Sequence, residues 1–147
     1  MRSKSAPPIY FLICAAIIFP IYFLLPQYAK IAAPYNWLGL LFVGTGLYLN
    51  LSADRIMKKH GTPHKFEKSV YVIEEGVFKL SRNPMYLGMT VIILGFALIS
   101  KNVVALISPL IFFFLMNMVF IPYEEAKMTR ELGENYLKYR EKVRRWI

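Results

Sequence analysis

The chain has 147 residues, 56% of them hydrophobic, a mean hydropathy of +0.41 and a formal net charge of +9. It is too apolar for a water-soluble domain of this length, so one membrane domain spanning residues 1–147 is expected. The basic residues lie between and after apolar runs, where they meet anionic lipid headgroups rather than nucleic acid, and the lone Cys14 excludes an intrachain disulfide or multi-cysteine metal site.

Four uncharged apolar runs predict transmembrane helices: Ile9 to Leu25, Tyr35 to Ala53, Pro84 to Ser100 and Val103 to Ile121. Each approaches the roughly 20 residues that a hydrocarbon core requires. Arg2 and Lys4 precede the first run without a small-residue cleavage site after it, so it reads as a retained span. Pro20 and Pro26 predict a kink there.

The connections after the first and third runs hold only Lys30 and Lys101, and the other 16 of the 18 Lys and Arg residues fall on the opposite side. Both termini are therefore expected in the cytoplasm. Lys101 and Asn102 alone separate the last two runs, which forces a tight antiparallel hairpin. Gly39 and Gly46 are seven residues apart, as are Gly88 and Gly95, giving each helix a face where another backbone can approach closely.

Two segments do not span. Asp54 to Asn83 reads as a loop of about 30 residues, too long for a plain turn and expected to cover a ligand. Residues 123–147 place Met128, Leu132, Tyr136, Tyr139, Val143 and Ile147 at helical spacing, which predicts an interfacial amphipathic helix, broken at Gly133, lying on the inner membrane surface. The expected fold is all-α, with about four transmembrane helices and this C-terminal helix.

The third run opens Arg82, Asn83, Pro84, with a capping residue, a proline suited to the first helical position, and a permanent cation beside free backbone N–H groups. Glu124 and Glu125 follow the fourth run, and the hairpin returns them to the same end of the membrane. An anion site at Arg82 then faces a cation site at the glutamates. Such a pair matches a zwitterionic amino acid, the headgroup of S-adenosylmethionine, while Val70, Tyr71, Val72, Ile73 and Phe78 could cover the adenosine. No glycine-rich nucleotide motif accompanies it, no metal ligands are expected, and the sequence does not identify the catalytic residues.

Gly61-Thr62, Val72-Ile73-Glu74-Glu75-Gly76-Val77-Phe78 and Arg82-Asn83-Pro84-Met85-Tyr86-Leu87-Gly88 resemble motifs of the isoprenylcysteine carboxyl methyltransferases and related phospholipid methyltransferases. Glu124-Glu125, Leu132-Gly133, Tyr136, Tyr139 and Val143 are similar to the family's C-terminal pattern. The resemblance implies a membrane enzyme using S-adenosylmethionine, held by Val70 to Ile73, Phe78, Asn83 to Tyr86 and Glu124. Asn83 stands where the family has a histidine. Phe120 stands where the prenylcysteine enzymes have an arginine for the substrate carboxylate, which argues against that acceptor.

The implied reaction is methyl transfer at the cytoplasmic face to a lipophilic small molecule or lipid that enters from the bilayer. Two rival readings are an NADPH-dependent reductase related to sterol reductases and a non-enzymatic four-span protein. The first has little room for a dinucleotide at this length. A transporter would need an ionisable group within a span, and none of the four runs has one.

Overall fold

Apolar helices dominate the computed structural model, which describes residues 6–60 and 72–147; no strand occurs among them. Val70 and Tyr71, with the Gly61-Thr62 step, lie outside the described residues.

The first run forms α1 (Ala6–Ala16) and α2 (Ile18–Leu24), interrupted at Ile17. Pro20 has no N–H to offer the Ala16 carbonyl four residues earlier, so the ladder breaks just ahead of it. Ile17 still donates to Ile13 O at 3.0 Å and Ile21 to Ile17 O at 3.3 Å, which keeps the interruption local.

The second run begins with a 3-10 turn at Tyr35–Trp37 and continues as α3 (Leu38–Lys59). It runs six residues beyond Ala53, so Asp54 to Lys59, expected in the loop, are helical. An exposed Lys58–Asp54 pair at 2.7 Å, one turn apart, and the basic Lys58 and Lys59 near the negative helix end favour that extension. A 3-10 turn at Gly76–Lys79 leads into α4 (Pro84–Ile99).

Helices α3 and α4 lie antiparallel with their backbones in contact. A Cβ placed on Gly39 would fall 2.5 Å from the Gly95 carbonyl oxygen, and one on Gly46 would fall 2.5 Å from that of Gly88. The two glycine faces read from the sequence are therefore the two sides of one interface. The absence of side chains lets the helices approach and gain dispersion contact along their length.

Asn102 closes the hairpin. It is fully buried, accepts from the Val104 N–H at 2.9 Å and donates to the Leu25 carbonyl at 2.8 Å, so it starts the next helix and ties the end of α2 to it. A 3-10 turn (Val103–Leu106), α5 (Ile107–Leu115), a π-helical turn (Met116–Phe120) and α6 (Ile121–Leu132) then form one 30-residue rod. Phe112, Ile93, Met116 and Ile121 are fully buried where α1, α4 and this rod meet.

The C-terminal segment is helical and broken at Gly133, as expected. Its first part completes α6; Gly133, at φ +54°, ends that helix, α7 (Glu134–Lys142) follows, and Val143 is extended. Its apolar stripe meets protein rather than lipid: Tyr136, Tyr139 and Val143 are buried against Val72, Met128 and Leu132.

The four expected spans are also unequal. Pro7–Leu24 and Val103–Leu132 are long and apolar enough to cross a membrane. The 16 residues of α4 reach about 24 Å at 1.5 Å each, short of a hydrocarbon core of about 30 Å. The 22 residues of α3 are long enough, but Asn50, Asp54 and Arg55 make its second half polar.

Candidate functional site

The turn before α4 is built by the end of the chain. Backbone N–H of Arg82 donates to Arg144 O at 3.0 Å, Ser81 Oγ to Arg145 O at 3.1 Å, and Asn83 Nδ2 to the same carbonyl at 3.2 Å. Asn83 occupies the position before the helix, yet its side chain makes no capping bond there, contrary to expectation; its Nδ2 donates to the Arg145 carbonyl instead.

Glu125 is buried and the Arg82 side chain nearly so, with Arg82 Nη1 3.2 Å from Glu125 Oε1. Neither Arg82 Nε nor Arg82 Nη1 has a hydrogen-bond partner among the described residues, so the contact with Glu125 is an ion pair without hydrogen-bond geometry. Arg145 grips the same carboxylate as a fork, Nε to Oε1 at 3.2 Å and Nη2 to Oε2 at 2.7 Å. Its Nη1 donates to Asn117 Oδ1 at 3.3 Å, and Trp146 Nε1 donates to that oxygen at 3.0 Å. The Trp146 ring packs on Phe113 with centroids 4.6 Å apart.

Glu124 takes a different partner. The Tyr86 hydroxyl donates to its Oε1 at 2.5 Å. Burial pushes the Glu124 carboxyl up to about 7, against the opposing pull of the Tyr86 bond and the Lys127 charge. The anion and cation sites thus share one end of the hairpin, and Arg82 there lies in ion-pair contact with Glu125 rather than with Glu124.

A cavity of about 130 Å³ lies among these groups. Of the residues singled out in the sequence, Val72, Ile73, Phe78, Arg82 and Asn83 line it, as do both glutamates. Pro84 is buried at the start of α4, Met85 packs with the cluster around Leu49, Ala53 and Val77, and Tyr86 touches the site through its bond to Glu124.

Met57, Met128, Leu132, Tyr136 and Tyr139 also line the cavity but were not singled out for it. The first sits on the part of α3 read as loop; the others form the stripe read as membrane-facing. The stripe's regular spacing is the available signal: it marks a face to be covered without naming what covers it. Tyr139 further donates to Phe78 O at 2.6 Å, fixing that turn against α7.

A carboxylate, a guanidinium with an unpaired donor and apolar walls together suit a ligand bearing a cation, an anion and a flat apolar part. A larger groove of about 470 Å³ runs between α3 and the Gly76–Lys79 turn, lined by Leu49, Arg55, Ile56 and Val77 among others, and contains none of the residues singled out as binding.

The family model described as phospholipid methyltransferase matches residues 35–135, from the turn before α3 into α7. An uncharacterized protein of Haemophilus influenzae is 35% identical over 63 residues, 43% of this chain and all of that protein. No solved structure matches the chain.

Proposed function

The chain belongs to the phospholipid methyltransferase family, within the group of membrane methyltransferases that includes the isoprenylcysteine enzymes, and on that premise we propose that it transfers the methyl group of S-adenosylmethionine to a lipophilic acceptor resident in the bilayer. The observation that carries this reading is the Tyr86–Glu124 bond at a cavity that Arg82 also lines. The bound cofactor would supply an electrophilic methyl group on sulfur.

In this reading Glu124 receives the ligand's ammonium and Arg82, through its unpaired Nε, the carboxylate. Val72, Ile73, Phe78 and Met128 cover the adenosine and keep water away. Asn83, Pro84 and Met85 shape the helix start beneath it, and Glu125 orients Arg82. The cavity is smaller than the roughly 300–1,000 Å³ that ligands of this size occupy, so the walls part on binding. The protein's contribution is then mainly alignment of donor and acceptor and exclusion of water.

Four crossings complete the proposal: α1–α2, α3, α4 and the rod through α5, with both termini and the site at the cytoplasmic side. The Lys and Arg distribution supports that orientation. Outward Phe19, Leu41, Tyr48 and Phe114 give α2, α3 and α5 lipid-compatible faces. Local thinning of the bilayer accommodates the short α4. No observation favours the reductase or the non-enzymatic reading.

Purified protein incubated with radiolabelled methyl donor and membrane lipid extract tests the reading. Label should enter an organic-soluble product with the wild type and not with Glu124→Ala; equal labelling by both proteins would refute it.

A further inference from the structure

Glu125 is the centre of a charged triad, with Arg82 on one oxygen and Arg145 on both. Two guanidinium groups and one carboxylate leave a net single positive charge. The shorter, two-pronged contact belongs to Arg145, and charge-assisted bonds of that kind are the stronger ones. The charge of Arg82 is therefore only partly compensated by Glu125, and its Nε and Nη1 are both without a hydrogen-bond partner among the described residues.

Arg145 is held for this task by contacts that do not involve a ligand. Its carbonyl is fixed by Ser81 and Asn83, its Nη1 by Asn117, and the neighbouring Trp146 by Asn117 and Phe113. Asn117 lies in the π-helical turn, whose wider winding returns the Ile121 N–H to Met116 O, five residues back. The strap over residues 143–147 lies outside the segment matched by the family.

We propose that Arg145 is a positioning residue: by engaging Glu125 as a fork, it leaves Arg82 free to bind the carboxylate end of the ligand. Without Arg145, Glu125 pairs with Arg82 alone and neutralises it, while the Glu124 end of the site is untouched. The inference rests on the proposed S-adenosylmethionine reading.

Calorimetry with two ligands separates positioning from a merely structural role. S-adenosylhomocysteine carries the carboxylate; its decarboxylated analogue keeps the adenosine and the ammonium. Arg145→Gln should weaken the first about tenfold and leave the second within about twofold. Arg145→Lys, which keeps a charge but not the fork, should recover part of the loss. If Arg145→Gln does not fold in detergent, Arg145→Lys carries the comparison, with at least about a threefold difference between the ligands. Equal weakening of both ligands, or no weakening of either, overturns the proposal. Failure of the wild type to bind either ligand overturns the methyltransferase reading itself.

Discussion

The Tyr86 hydroxyl donates to Glu124 Oε1 at 2.5 Å, joining the first turn of α4 to the first turn of α6 across the open end of the hairpin. The bond spans 38 residues of sequence and depends on Lys101 and Asn102 turning the chain tightly at the other end. It anchors the carboxylate to which the proposed cofactor ammonium binds.

Tyr86→Phe keeps the ring and removes the donor. A hydrogen bond to a charged group contributes about 1.5–3 kcal/mol, so S-adenosylhomocysteine binding should weaken by about tenfold or more. The lost bond also stabilised the carboxylate, so the pH at which binding reaches half its plateau should move upward. Titrations at several pH values in wild type and variant measure both effects; a shift downward would contradict the assigned role of the bond.

The raised Glu124 carboxyl predicts two opposite pH trends. A cationic ligand requires the ionised form, so affinity should rise between about pH 5.5 and 7.5 and level off above it. Without ligand, the folded protein holds a proton between the ordinary carboxyl value of 4.5 and about 7 that the unfolded chain has released. The folded state binding more protons means that stability falls as pH rises through that window. Thermal unfolding from pH 4.5 to 7.5 should show this slope in the wild type and a flatter one in Glu124→Gln. Equal slopes would assign the effect to another group.

Gly46→Ala and Gly44→Ala form a matched pair on α3. The first places a Cβ 2.5 Å from the Gly88 carbonyl and should cost about 1–3 kcal/mol by forcing α3 and α4 apart. The second meets nothing within 4 Å and should be neutral or stabilising by up to about 1 kcal/mol, since alanine loses less backbone entropy than glycine in a helix. Comparison of unfolding midpoints in one detergent decides. Equal effects would contradict the close contact.

The hairpin was legible because a two-residue connection allows no other neighbour for the third run, and the glycine spacing announced faces without saying that they meet. The assignment of the two glutamates was not legible. Successive helical residues point about 100° apart, so only one could face Arg82, and Glu125 rather than Glu124 does so. The extension of α3 was hidden by its charges, which mark the end of an apolar run and not of a helix. The C-terminal strap was beyond reach because Asn117 meets Arg145 and Trp146 only after the π-helical turn and Gly133 have set the direction of the chain. The stripe from Met128 to Val143 has the same periodicity whether it meets lipid or protein, so spacing alone could not reveal that it closes the cavity.

Calorimetric titration of the purified wild type and of Glu124→Gln with S-adenosylhomocysteine at pH 7.5 tests the central claim most directly. The wild type should bind at one site, and Glu124→Gln, retaining shape but not charge, should bind at least about tenfold more weakly. Absence of wild-type binding across several detergents and lipid compositions, or equal affinity in the two proteins, would contradict it.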